Sequence, residues 1–155
     1  MIVADTGAVI ALIDRDDHHH AQLREAFEAA PTEWLLPWAI LPEVDYLLAS
    51  RVGANAAASF RADVAAGLFV IEWSGEADLG RAVELERRYA QLSFGLVDAV
   101  VMATAERMGA RAIATLDLRD FAAVELVGHP ELWPRDLPTR ALSAPAPTRP
   151  RPPAR

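Results

Sequence analysis

The chain has 155 residues, 52% of them apolar, and all fifteen of its basic residues are Arg, set against 22 acids for a net charge of −7. That length suits one domain with one core, and the absence of Cys excludes disulfide frameworks, zinc ribbons and thiol nucleophiles. The absence of Lys excludes Schiff-base chemistry and the lysine of a Walker phosphate loop.

Along the chain, strand-like and helix-like runs alternate. Residues 2–4 form a short apolar strand, and Asp5 or Thr6 can cap a helix over 7–13. An amphipathic helix follows over 17–30, then a strand over 33–38 closed by Pro37. Pro42 suits the first turn of a helix running to Ser50. A further helix spans 55–66 and stops at Gly67. Residues 68–73 make the clearest strand by β-branched and aromatic content. A helix with a charged face spans 76–91, an apolar helix spans 97–108 and ends at Gly109, and a last strand covers 112–115. Such alternation predicts an α/β fold, a three-layer α/β/α sandwich around a mostly parallel sheet. Sheets of that kind bind ligands at the carboxyl ends of their strands.

Residues 138–155 differ from the rest. They hold six of the eleven prolines and four Arg with no acid, whereas residues 1–137 hold all 22 acids and eleven Arg. The body therefore carries −11 and this segment +4. We read 1–137 as the domain and 138–155 as a disordered Pro/Arg-rich tail with too little apolar surface to order itself. No apolar run approaches the ~18 residues of a membrane span, and 1–13 lacks the basic start and cleavage site of a signal peptide. A cytoplasmic location is the expectation.

Four acids stand where such a sheet places its chemistry. Asp5 follows the first strand and Asp117 the last; each is read either as a cap or turn residue or as part of a site. Asp98 is the one charge in Gly95-Leu96-Val97-Asp98-Ala99-Val100-Val101, near a helix start. A carboxylate among such neighbours costs several kcal/mol unless paired or metal-bound, which favours a ligand over a simple cap. Glu43 lies in the first turn of another apolar helix, where an acid also complements the helix dipole; Asp45, about 200° around that helix, points to solvent. Two like charges ~4 Å apart at an effective dielectric near ~20 repel by about 4 kcal/mol. If the four converge they need a cation, and with no Cys or His in these motifs hard Mg²⁺ or Mn²⁺ is the match. Carboxylate-held metal suits attack of water on a phosphodiester. His18, His19 and His20 fan out by about 100° each on a helix and do not chelate one ion together. Trp34, Trp38, Trp73 and Trp133 are core or interface anchors rather than base-stacking platforms.

Together, Ile2-Val3-Ala4-Asp5-Thr6-Gly7, the run from Ile10 to His18, Leu41-Pro42-Glu43-Val44, Leu96-Val97-Asp98-Ala99 and the run from Ala114 to Phe121 resemble the PIN-domain ribonucleases, specifically the VapC-like toxins of toxin–antitoxin pairs. The resemblance spans residues 1–127. It implies a PIN-like fold and a metal-dependent endoribonuclease hydrolysing RNA phosphodiester bonds, with Asp5, Glu43, Asp98 and Asp117 as catalytic, metal-holding acids and Mg²⁺ or Mn²⁺ as cofactor. Thr6 and Thr115 match polar positions that line such sites. Asp120 is the understudy of Asp117, and Arg119 is either a phosphate contact or a partner for the acids beside it. The resemblance further implies structured RNA such as tRNA or rRNA as substrate, a cognate antitoxin as partner and a homodimer. A solitary PIN-domain nuclease, or a non-catalytic PIN-like module binding RNA or protein, is the alternative. An aspartyl-phosphate enzyme is disfavoured, because the second residue after Asp5 is Gly7 and no Lys is available.

Overall fold

The computed structural model describes residues 1–73 and 75–137. The expected tail, and with it the boundary after residue 137, lies outside the described residues. Five short strands, β1 (Ile2–Ala4), β2 (Trp34–Pro37), β3 (Val70–Glu72), β4 (Ala112–Ala114) and β5 (Glu131–Trp133), line up in the order β3-β2-β1-β4-β5. Every pairing is parallel. The helices are α1 (Thr6–Ile13), α2 (His20–Ala29), α3 (Leu41–Arg51), α4 (Ala54–Ala65), α5 (Glu76–Arg88), α6 (Leu96–Met108) and the single turn α7 (Leu118–Phe121). The expected three-layer α/β/α architecture is what forms.

The alanines explain how so short a sheet is covered. Ala4 pairs with Ala114 and Ile2 with Ala112 in the two central strands, and Ala8, Ala11, Ala99 and Ala103 on α1 and α6 are buried against the core. Small side chains let helix backbones approach the sheet closely, while Trp34, Leu36, Ile113, Met102 and Phe121 fill the larger gaps. Helix α6 crosses β1, β2 and β4 with α5 packed on it, whereas α1 packs on α2 and α3. The chain winds one way from β1 through β2 to β3, then reverses to enter β4 on the other side of β1. The two helix groups thus cover opposite faces, and the reversal opens a crevice between the carboxyl ends of β1 and β4.

Three expectations shift. The strand over 68–73 shrinks to three residues at the sheet edge, with Val70 45% exposed; β-branched content marks a pleated surface that is partly covered, and edges qualify. Helix α2 starts at His20 rather than at residue 17, because the side chains of Asp14 and Asp17 take the backbone N–H groups of Asp16 and His19 into turns. Strand β5 and the turn α7 add to the elements that the sequence pattern predicts. Pro130 and Pro134 bracket β5 and hide its strand signal. Gly109, at φ 57°, ends α6 in the left-handed conformation as its sequence position suggests.

Helices α5 and α6 are clamped by ions. Asp78, 2% exposed, accepts Arg107 Nε at 2.6 Å and the Thr104 hydroxyl at 3.2 Å, while Arg107 Nη2 also reaches Glu72 at 2.7 Å. Arg107→Ala strips a buried carboxylate of its cation and is expected to cost about 2–4 kcal/mol, read as a lowered midpoint in urea with unchanged m. A loss below about 0.5 kcal/mol would mean that the remaining partners of Asp78 suffice.

Candidate active site

Each acid owes its position to a strand end or a helix start. Asp5 leaves β1 with its N–H bonded to the Ala114 carbonyl at 2.8 Å, then caps α1. Its Oδ1 accepts the Thr6 N–H at 2.6 Å and its Oδ2 the Thr115 hydroxyl at 3.0 Å. Thr115 Oγ1 in turn accepts the Asp117 N–H at 3.0 Å, so one buried hydroxyl joins the β1 acid to the β4 acid. Glu43, in the first turn of α3, receives the Thr6 hydroxyl on Oε2 at 2.6 Å. Asp98, in the first turn of α6, accepts the Gly95 N–H on Oδ2 at 3.1 Å. Asp117 accepts the Asp120 N–H on Oδ1 at 3.2 Å and caps α7. For Asp5, Asp98 and Asp117 capping and site membership are compatible: one oxygen fixes the backbone and the charge remains in the crevice.

The charges feel one another. Burial above all, then the charge of Asp98 and more weakly that of Glu43, pushes the Asp5 carboxyl up to about 6 against the hydrogen bonds from Thr115 and Thr6. Burial likewise raises Asp98, the Gly95 N–H holds it back, and Asp117, Glu43 and Asp120 add repulsion in that order. All four acids, with Asp120 as a fifth, therefore form one electrostatic cluster at the strand-order reversal. They are not drawn into a cage: among the described residues no three His, Asp or Glu side chains are gathered tightly enough to hold an ion as they stand. The donor set is wholly oxygen and anionic, which fits hard Mg²⁺ or Mn²⁺.

The remaining candidates divide. Asp120 is 3% exposed and gripped by Arg119, whose Nε and Nη2 donate to its two oxygens at 3.0 and 2.9 Å. Arg119 thus pairs with its acidic neighbour, while its side chain remains 80% exposed. Asp45 is not simply solvated but pairs with Arg61. His20 bonds the Ala11 carbonyl through Nδ1, and His18 and His19 meet edge to face. Trp34 and Trp133 are buried as expected, whereas Trp38 and Trp73 are 44% and 72% exposed. The Gly95 N–H on Asp98 is the cap reading of that residue realised at the three-residue spacing of a helix start, whereas the Trp133 carbonyl, which accepts Thr115 N–H at 2.9 Å and docks β5 beside the cluster, had no signature in residue spacing.

Thr115→Val removes the shared hydroxyl at constant shape. Asp5 loses a donor that lowers its pKa, so its carboxyl moves above about 6, and Asp117 N–H loses its partner. We expect a stability loss of about 1–3 kcal/mol and an acid limb of any metal-dependent activity displaced to higher pH. An unmoved pH profile would remove Thr115 from the site.

An α/β sheet with a carboxylate cluster at its switch point is the layout of the PIN domain. The chain matches that family over residues 2–126 and belongs to it. It is 29% identical over 127 residues to ribonuclease VapC26 of Mycobacterium tuberculosis, spanning 82% of this chain and 94% of that one. Among solved structures it resembles VapC20 of the same organism, a sarcin–ricin loop-cleaving toxin, with a TM-score of 0.72, 24% identity and coverage of 83% and 98%. It also resembles DNA-bound VapBC from Salmonella typhimurium, with a TM-score of 0.65, 16% identity and coverage of 84% and 95%.

Proposed function

We propose that this protein is a metal-dependent endoribonuclease that hydrolyses RNA phosphodiester bonds as the toxin of a toxin–antitoxin pair. The observation that carries the reading is the electrostatic coupling of Asp5, Glu43, Asp98 and Asp117 at the strand-order reversal, with burial raising the Asp5 carboxyl to about 6 and that of Asp98 in the same direction. The resemblance to ribonuclease VapC26 supports RNA as the substrate, and the likeness in fold to toxin–antitoxin complexes supports an antitoxin partner. Structured RNA such as tRNA or rRNA, a homodimeric assembly and a cytoplasmic location belong to the same proposal. Among the described residues no helix is long and apolar enough to cross a membrane.

In this reading Asp5 and Asp98 are the principal ligands of Mg²⁺ or Mn²⁺, with Glu43 and Asp117 completing the set. When bound, the ion supplies charge neutralisation and activation of water toward phosphorus. Thr6 aims Glu43, and Thr115 ties Asp5 to Asp117, so the donors are oriented before a substrate arrives. The amino ends of α3 and α6 add positive potential where the phosphate must approach. Arg119, exposed at the rim, is placed to exchange Asp120 for a phosphate oxygen.

The test is incubation of total bacterial RNA with the purified protein in Mg²⁺, in Mn²⁺ and in EDTA. Discrete fragments in either metal and none in EDTA are expected. Equal cleavage in EDTA, or none in any condition while calorimetry records metal binding, would replace the nuclease with a metal-independent enzyme or a binding module.

A further inference from the structure

Affinity for RNA has to come from more than net charge in this domain. Residues 1–137 carry 22 acids against eleven Arg, and several of those arginines are held by acids: Arg81 by Glu84 and Glu106, Arg107 by Asp78 and Glu72, Arg111 by Glu33. Such a surface gains little from neutralising phosphates. The other source is the base, whose face stacks on an aromatic ring whatever the base's identity.

The exposed aromatic side chains are gathered where that source is needed. Among the described residues three of Phe, Trp and Tyr stand exposed: Trp38, Tyr46 and Trp73. Pro37 of β2 pairs with Glu72 of β3, so the next residues, Trp38 and Trp73, leave adjacent parallel strands at one level, about 5 Å apart across the sheet. Both strands end at the edge of the sheet that carries Asp5 and Asp117. Tyr46 lies three residues beyond Glu43 on α3, hence on the same face of that helix.

Trp38 also walls a cavity of about 410 Å³ with Pro42, Leu79, Leu96, Val97 and Val100, a size that suits a small organic group. Two of its walls are continuous with the acid cluster. Pro42 precedes Glu43 in the first turn of α3, and Leu96 and Val97 precede Asp98 in the first turn of α6. A phosphate held at those acids therefore brings the neighbouring base to the mouth of the cavity. Leu79 and Leu96 are each half exposed there, so covering them gains apolar burial. Of the acids that line the cavity, Asp78 is engaged by Arg107 and Thr104, and Glu76 repels a phosphate but not a neutral ring.

We propose that Trp38 and its cavity form a base-stacking subsite for an unpaired nucleotide beside the bond that is cut, with Trp73 as the next stacking face, a role that rests on the nuclease reading of the acid cluster. Stacking requires a base released from its partner strand, so the site takes single-stranded segments and rejects duplex. A mostly apolar lining holds the ring without reading its edge, which leaves the choice among bases weak.

The experiment follows binding of a short, unpaired fluorescein-labelled RNA by anisotropy in Mg²⁺ across about 50–200 mM salt, in Asp98→Asn backgrounds so that no cleavage intervenes. Trp38→Leu keeps apolar bulk but loses the π-face, and Trp73→Ala trims a side chain that is 72% exposed. Each is expected to weaken binding about fivefold or more, with an unchanged slope of log affinity against log salt because no ionic contact is lost. Trp38→Phe retains most of the affinity. Val127→Ala, an exposed apolar residue bonded to Glu106 near the far end of α6, changes nothing. An abasic ribose–phosphate chain of the same length binds Trp38→Leu and its parent alike. Equal RNA affinity of Trp38→Leu, Trp73→Ala and their parent overturns the subsite. An equal loss for the abasic chain also overturns it. So does a loss that tracks a fall in oligomeric state by sedimentation, which makes this face a contact between copies of the chain. Cleavage of total RNA in Mg²⁺ by the unmodified chain is run alongside. Cleavage with no effect of the two tryptophans on binding condemns the subsite alone, and tryptophan-dependent binding without cleavage condemns the nuclease reading alone.

Discussion

Asp98→Asn is expected to reduce metal-dependent RNA cleavage by about a thousandfold or more while the protein stays folded. The size follows from removing a charge that, on the proposed reading, would hold an ion at the reacting phosphate, where several kcal/mol of stabilisation are at stake and each ~1.4 kcal/mol is tenfold in rate. The fold survives because the Asn oxygen can still accept the Gly95 N–H that Asp98 Oδ2 accepts at 3.1 Å. Removing one of several repelling charges also relieves Asp117, Glu43 and Asp120. The check is fragment yield per unit time beside a thermal melt of the same preparation. Cleavage at the natural rate refutes a catalytic Asp98, and collapse of the melt shows that its capping role dominates.

Asp5→Asn is expected to stabilise the metal-free protein near neutral pH and to abolish cleavage. Folding moves the Asp5 carboxyl from its ordinary value of 3.8 to about 6. Its ionised form is therefore disfavoured by about 3 kcal/mol at pH 7.5. For a carboxyl raised on folding the native state binds the proton more tightly. Its contribution is favourable in acid and is lost as pH climbs from about 4 through about 6. Asn escapes that penalty but disturbs the hydrogen bond with Thr115, a loss near 1 kcal/mol. The net gain is about 2 kcal/mol, or roughly 6 °C in melting temperature for a domain of this size. Melts in EDTA at about pH 5 and pH 7.5 separate the two proteins: the natural chain loses more stability between these values than Asp5→Asn does, since only Asp98 remains raised in the variant. Saturating Mg²⁺ then raises the melting temperature of the natural chain and leaves the variant unchanged. A variant less stable than the natural chain at pH 7.5 in EDTA would make Asp5 a structural cap.

The architecture and the acids were legible in the sequence for different reasons. Alternating strand and helix patterns announced the parallel sheet, and Asp98 stood out because a lone charge in Val97 to Val101 demands a physical explanation. Glu43 and Asp117 did not announce themselves, since an acid in a first turn and an Asp after a strand are both ordinary. In the sequence only the order of the family's motifs groups them with Asp5 and Asp98; in the fold the pairing of β1 with β4 brings Asp117 to Asp5, and the Thr6 hydroxyl brings Glu43. Proline obscured β5, because the residues that bracket it are those that usually argue against a strand, and three residues leave no room for alternation. Of the four tryptophans read as core or interface anchors, Trp34 and Trp133 are core, while Trp38, in the turn after β2, and Trp73, just past the edge strand β3, are exposed; aromatic content does not say which strand becomes the edge. The hydroxyl bridge through Thr115 was named as a position without its partners, because a contact 110 residues long has no local trace.

The placement of β1 between β2 and β4 has a consequence for synthesis. The first strand to be made waits for a neighbour 110 residues later, Ile2 for Ala112, before its second edge is closed. At about 5–20 residues per second that interval is on the order of ten seconds. Until β4 is added, Asp5 lacks Thr115, Asp117 and the Ala114 carbonyl that anchors its backbone. A chain interrupted before that point holds Asp5, Glu43 and Asp98 without the frame that aligns them. A chain that ends before β4, by stalled synthesis or by trimming from the C-terminal side, is therefore expected to lack the aligned carboxylates that the proposed activity requires.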